Sequence, residues 1–337
     1  AATPADIDLG FEKEYVSVDA LDVRYVELIH EAMATDFHFY MYGSAERLDE
    51  THLAMAGEAA FQVIDAIESE ISSWRESSDT SLVNRNASIE AVPVGDYLWE
   101  VLEASRTAYD ETGGAFDITV GPLLDLWRGA KKLGGWPAEN ELKQALAHVG
   151  LNHVAMVDHT VRFEMPGMRL DFGGIGKGYA LDKAAEVLRD RGVSQARIHG
   201  GTSTVLALGA PNGADGWTVE IPNPYNRTNE YIDEVVIRDE ALSTSAPSEA
   251  YLNDTGRKYG HIYDPRTGMP AEEVVSATAI TPSGTMSDAL STAFFVLGIT
   301  GTEAYCKAHP ETRAILILAQ NGDLQPMRIN FDAKESF

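Results

Sequence analysis

The stretch RLDFGGIGKGYALDKAAEVLRDRG, residues 169 to 192, sets a glycine cluster and Lys177 between an extended apolar run and an amphipathic helix. Glycines at such a junction let backbone N–H groups approach a ligand closely. The first helical turn adds unpaired donors and the positive end of the helix dipole, a combination suited to an anion. Spacing excludes two familiar anion motifs. Gly176-Lys177 is followed by Gly178 rather than Ser or Thr, with no glycine five residues before Gly176, and no G-x-G-x-x-G runs through the cluster. The same residues also suit a tight turn feeding a core helix, with Leu181, Ala184, Val187 and Leu188 as its apolar stripe and Gly192 as its stop.

Three further segments carry chemical groups. In HIYDPRTGMP, His261 stands three residues before Asp264 in a turn stiffened by Pro265, Gly268 and Pro270, and reads either as a capping donor or as an acid–base group. In TMSDALSTAF, Asp288 and Thr292 are four residues apart and share one helical face. A carboxylate and a hydroxyl so placed can give two oxygens to a hard cation, or simply pair on a solvated face. In TGGAFDITVGPLLDLW, Phe116 and Asp117 offer an aromatic face and a carboxylate to a ring system, or close a core turn. The single Cys306 forbids an internal disulfide or a cysteine-based metal cluster, and reads as a small apolar residue of a C-terminal helix.

Positioning these groups requires a large scaffold. The 337 residues show no linker, repeat or low-complexity run, which points to two lobes of one domain. The formal charge of −26, from 52 acidic and 26 basic residues, argues against nucleic acid as a partner. An acidic protein that takes an anionic ligand must neutralise it locally, which favours a metal ion. No apolar stretch approaches the roughly 18 residues of a membrane span, and AATPADIDLG is not a signal peptide. The expectation is a cytoplasmic protein, or a periplasmic or cell-envelope one if a leader was removed.

Alternation predicts a strand over residues 36–43, and the 3.6-residue spacing of Leu53, Phe61, Ile64, Ile67 and Ile71 predicts a helix. A polar turn is expected over SSWRESSDTSLVN. A second helix is expected after Asp96 as N-cap, ending at Gly113-Gly114. Strands are expected at 154–158, 168–172, 196–199, 204–208, 217–221, 235–238 and 275–281, a helix at 285–297, and a hairpin turning at Asn321-Gly322. Regular β-α alternation is absent beyond 169–199. The fold class is therefore α+β, with mixed, largely antiparallel sheets, flanking helices and the site in a cleft between two lobes.

Taken in order, MATDFHFYMYG, EISSWRESSDTSLVN, GGAFDITVGPLLDLW, LDFGGIGKGYALD, LSTSAPSEAYLNDTGRKYGHIYDPRTGMP and MSDALSTAFFVLG resemble the FAD:protein FMN transferases, the ApbE-like flavin transferases. The resemblance implies an N-terminal extension over 1–30 and one flavin transferase domain over 31–337. It implies an enzyme that takes FAD and Mg²⁺, places FMN on a Thr or Ser hydroxyl of a target flavoprotein and releases AMP. Met33, Trp74, Ala115, Phe116, Asp117, Asp171, Lys177 and His261 would contact FAD. The Gly174 carbonyl, Asp288 and Thr292 would hold the metal, and His261 falls on the family's functional histidine, catalytic together with Asp288. Trp74 stands where many relatives carry Tyr, and APSEAYL and GGTSTV depart from the usual pattern of the pocket wall. An FAD diphosphatase and a non-catalytic FAD-binding protein are the alternatives. The oligomeric state stays open.

Overall fold

A computed structural model of the chain describes residues 23–44, 49–226, 230–247, 251–252, 258–320 and 323–332. Elements follow in the order β1 (Val23–Ala32), β2 (Thr35–Ser44), α1 (Glu50–Ile71), α2 (Asp79–Asn86), β3 (Val92–Pro93), α3 (Asp96–Glu111), α4 (Gly121–Lys132) and α5 (Glu139–Leu146). Next come β4 (Val154–Val157), β5 (Thr160–Phe163), α6 (Gly176–Asp190), β6 (Ala196–Gly200), β7 (Thr204–Leu208), β8 (Trp217–Pro222), β9 (Tyr231–Ile237) and β10 (Ala241–Ser245). The chain closes with β11 (Tyr251–Leu252), β12 (Lys258–Tyr259), β13 (Ser276–Thr281), α7 (Gly284–Ala308), β14 (Arg313–Gln320) and β15 (Asp323–Ile329).

The central element is an eight-stranded sheet in the order β1-β2-β6-β7-β10-β13-β14-β15, antiparallel at every pairing. Strand alternation sorts its side chains onto two faces. Ala241, Ala277, Ala279, Ala314 and Leu316 join the large core beneath α1, α6 and α7, while Leu242, Ile280, Ile315 and Ile317 join a second core capped by the β8–β9 hairpin. Both faces of the central strands are thus covered, which is why TVLAL and SATAIT are buried at every position. The small residues on the helix-facing side let α7 lie close to β10 and β13. A three-stranded sheet, β3-β5-β4, stands apart.

Mixed α+β architecture with antiparallel sheets is therefore the fold. The main sheet starts at Val23, inside the stretch expected as an extension, with β1 as its edge strand. The two-residue turn joining β1 to β2 puts Met33 and Ala34 at φ 52° and 58°, a left-handed pair that favours Gly or Asn. Other local expectations change. The polar segment contains α2, started by Ser78, whose Oγ accepts from Ser81 N. Asp96 is the first residue of α3 rather than its cap, and the cap is Gly95. Residues 168–172 make no strand, only an isolated bridge from Arg169 to Val120. Leu170 exchanges both backbone bonds with the Asn84 side chain, and Asp171 N donates to Ile118 O, so these backbone groups are satisfied without a ladder. The expected helix over 285–297 extends to Ala308 through a kink at Gly298, φ 63°. β14 and β15 pair as expected with Gln320 opposite Asp323, and their turn residues lie outside the described part.

Candidate active site

The glycine turn runs from Asp171 into the start of α6. Gly173 N donates to Asp171 Oδ1 at 2.9 Å, and the amides of Ile175 and Gly176 both donate to Phe172 O. Gly178 N donates to Asp288 Oδ2 at 3.0 Å. Most first-turn donors are therefore already bonded within the protein, and the positive group left to meet an anion is the Lys177 ammonium. Its Nζ lies 3.5 Å from Gly173 O and 3.7 Å from Asp288 Oδ2.

Asp288 and Thr292 project from α7 toward this turn. Asp288 is buried, and its Oδ1 accepts from Thr204 Oγ1 at 3.2 Å. Thr292 Oγ1 lies 3.1 Å from Ser245 Oγ on β10, which also meets Ser291 Oγ at 2.9 Å. A Cβ added to Gly174 would stand 3.3 Å from both Thr292 Oγ1 and a Phe116 ring carbon, so the hydroxyl and the aromatic ring both flank the turn backbone. The oxygens gathered here are the Asp288 carboxylate and the hydroxyls of Thr204, Ser245 and Thr292, beside the backbone of the Gly174 turn.

Asp117 is buried under Phe116, and burial raises its carboxyl pKa. Its Oδ1 accepts from Thr119 N (2.7 Å) and Thr119 Oγ1 (2.6 Å), and its Oδ2 from Leu151 N at 3.2 Å. Much of its accepting capacity thus goes to holding the loop that carries Ala115 and Phe116. On the opposite wall, His261 is exposed at the start of the Pro/Gly turn. Gly268 N donates to Asp264 O, and Trp127 Nε1 of α4 donates to Gly268 O at 2.8 Å while stacking on Tyr263. Asp264 takes Arg266 in a two-point ion pair within the same turn.

Two adjoining cavities collect these groups. One of about 400 Å³ is lined by Ala115, Phe116, Asp117, Asp171, Gly174, Lys177, His261, Asp288 and Thr292, with Ser203, Thr244 and Ser245. The other, of about 290 Å³, is lined by Met33 and Trp74. Asp171, Gly173 and Lys177 form the wall common to both. Trp74 is 78% exposed, and the Arg128 guanidinium of α4 lies 5.6 Å from its ring centre. Every sequence-predicted site residue therefore lines one cavity or the other; Met33 and Trp74 line the second, and His261 the first. Sequence reasoning missed Thr204 and Ser245, which touch Asp288 and Thr292. Ser245 lies in the LSTS run, and its alternation with buried Leu242 and Thr244 is the signal that could have found it.

Residues 33–316 match the ApbE family. This chain belongs to that family. An FAD:protein FMN transferase of Treponema pallidum is 30% identical over 284 residues, 80% of this chain and 78% of the relative. The FAD:protein FMN transferase of Escherichia coli K12 is 27% identical over 267 residues, 77% and 75% of the two chains. Among solved structures, an ApbE protein from Thermotoga maritima superposes with a TM-score of 0.78 at 28% identity, covering 91% of this chain and 97% of that one. The Vibrio cholerae flavin transferase ApbE, at 24% identity and a TM-score of 0.77, shares the fold. The match begins at Met33, the strained turn residue of this ApbE-family chain, and spans every residue placed in the two cavities.

Proposed function

We propose that this ApbE-family protein transfers FMN from FAD to a Thr or Ser hydroxyl of a target flavoprotein, with Mg²⁺ at the Gly174, Asp288 and Thr292 oxygens. The observation that carries this reading is the pair of cavities meeting at Asp171, Gly173 and Lys177. A ligand with two ring systems joined by a diphosphate matches that arrangement, its charged centre beside Lys177 and its rings on either side. In the cleft so formed, Phe116 offers one aromatic face and Trp74 the other.

The donor set fits a hard cation. A carboxylate, a hydroxyl and a carbonyl are all oxygen donors, and three protein ligands leave room for phosphate oxygens and water, as Mg²⁺ sites commonly do. Asp288 keeps free lone pairs after accepting from Gly178 and Thr204, since an ionised carboxylate has about four accepting positions. Mg²⁺ bound there would neutralise diphosphate charge as the leaving group departs.

In the reaction, the acceptor hydroxyl oxygen forms a bond to the phosphorus of the FMN half. The bond from that phosphorus to the bridging oxygen breaks, and its electron pair leaves with AMP. His261, exposed and lining the same cavity as Asp288, would take the hydroxyl proton. Lys177 holds charge at the transferring phosphoryl group, and Asp117 holds the Phe116 loop against the flavin. The test is to incubate the protein with FAD, Mg²⁺ and a candidate flavoprotein, then look for flavin fluorescence on the denatured acceptor. Release of free FMN and AMP with no labelled acceptor would identify a diphosphatase instead.

A further inference from the structure

The N-termini of α6 and α7 lie more than a hundred residues apart in the chain yet clasp each other. Asp182, one turn into α6 from Gly178, accepts four hydrogen bonds from the start of α7. Ser283 Oγ donates at 2.8 Å, Gly284 N at 2.6 Å, Thr285 N at 2.8 Å and Thr285 Oγ1 at 2.6 Å. In return Asp288, one turn into α7 from Gly284, accepts from Gly178 N at the start of α6. Each helix thus lends a carboxylate to amides that the other's first turn would leave unpaired. The same pattern stands in both segments, GYALD over 178–182 and GTMSD over 284–288. The glycines permit the approach: a Cβ on Gly178 would fall 1.9 Å from Gly284 O, and one on Gly284 would fall 2.6 Å from Gly178 O.

We propose that Asp182 is the positioning residue of the metal–diphosphate site, fixing the Gly174–Lys177 turn of α6 against Asp288 and Thr292 of α7. The proposal rests on the FMN-transfer reading. The proposed cation ligands come from both sides of the junction, Gly174 from the turn before α6 and the other two from α7. A cation bound by both needs their separation fixed, and Asp182 fixes it without itself lining either cavity. Phe116, Met33 and Trp74 are carried by other elements, so the ring contacts do not depend on the clasp.

The experiment compares Asp182→Ala and Asp182→Asn with wild type, and with Thr302→Val as a control. Thr302 Oγ1 bonds Gly298 O at the kink of the same helix, remote from the cavities. Four quantities are measured on the full chain: thermal midpoint, FAD affinity without metal by flavin fluorescence, Mn²⁺ affinity with FAD present by electron paramagnetic resonance, and the transfer rate against Mg²⁺ concentration. Loss of an outer partner of a metal ligand typically weakens the metal about 10–100-fold. Asp182→Ala should show a loss of that size in Mn²⁺ affinity and a matching rise in the Mg²⁺ needed for transfer, with the metal-free FAD affinity falling several-fold less because the ring contacts remain. Asp182→Asn keeps an oxygen for Gly284 N but sets its NH₂ where Thr285 N and the two hydroxyls had shared the other oxygen, so it should lose less Mn²⁺ affinity than alanine, and it serves if the alanine variant fails to fold. Thr302→Val should lose stability alone. Wild-type Mn²⁺ affinity in both Asp182 variants, or an equal loss in Thr302→Val, would overturn the positioning role. Wild-type protein that binds FAD but no Mn²⁺ would refute the metal reading itself.

Discussion

Gly178→Ala tests the helix junction where it is tightest. The new methyl would stand 1.9 Å from Gly284 O, 2.5 Å from Gly284 C and 2.8 Å from Asp288 Cβ, against an ordinary contact of 3.4 Å or more. The first two are backbone atoms, so no side-chain rotation relieves the clash, and the helices must part by about 1.5 Å. That movement carries Gly178 N, now 3.0 Å from Asp288 Oδ2, out of hydrogen-bond range. Overpacking against backbone costs about 3 kcal/mol and the lost bond about 1 kcal/mol, while replacing a helical glycine by alanine returns about 1 kcal/mol. The net expectation is a loss of about 3 kcal/mol, with transfer activity requiring far more Mg²⁺. Gly129→Ala supplies the opposite sign. A Cβ at that position in α4 meets nothing within 4 Å, so the change should stabilise by about 0.5–1 kcal/mol. Urea unfolding of the two variants and a Mg²⁺ titration of FMN transfer check both statements. If Gly178→Ala matches wild type in stability, the close approach of α6 and α7 is wrong. If it is destabilised yet keeps the wild-type Mg²⁺ response, the junction does not set the site.

Asp288→Ala should abolish metal-dependent transfer and also cost about 1–3 kcal/mol, because it strands the buried partners Gly178 N and Thr204 Oγ1; Asp288→Asn should keep the fold and still lose transfer, read by unfolding and by acceptor labelling. His261→Ala should bind FAD as wild type does while slowing transfer about 10²–10⁴-fold, and weakened FAD binding with normal turnover of the bound fraction would make it a turn-forming residue. His199 on β6 has its pKa pushed down from 6.5 to about 3 by burial, reinforced by Arg197 on the same strand and His38 opposite it on β2. The folded ring stays neutral while the unfolded chain takes a proton below about pH 6.5, so stability falls with pH from there toward about 3, by at most about 1.4 kcal/mol per pH unit. His199→Phe should flatten that acid limb of the melting curve, and its Nε2 has no hydrogen bond to lose.

Elements with a strong period were legible. The alternation of Phe37, Phe39 and Met41 gives β2, and the spacing in α1 matches its buried stripe of Leu53, Phe61, Ile64, Ile67 and Ile71. Residues 168–172 show where that reasoning fails. Their extended, apolar character is real, but the partners of their backbone groups are the Asn84 side chain and the Ile118 carbonyl, which no local pattern reveals. Helix α4 did carry a signal that went unread, with Pro122 in its first turn and Lys131 and Lys132 in its last. Edge strand β1 offers little to read, because its exposed outer residues break the alternation that its inner neighbour β2 displays.

The site divides along the same line. Lys177, His261, Asp288 and Thr292 stand out by type, since each can carry a charge, a proton or a metal, and the fold brings all four to one cavity. Asp182 does not stand out, because an acid between Leu181 and Lys183 on an amphipathic helix reads as part of its solvated face. Its partners are the amides of a helix about a hundred residues later, and those become its partners only when Gly178 and Gly284 come together. The legible trace is the repetition: a glycine followed four residues later by an aspartate, at the start of two helices that each hold part of the candidate site. In one helix the aspartate reaches the cavity and in the other it does not. The physical link between them is that each caps the other's helix, so the aspartate that lines the cavity is held in place by one that does not.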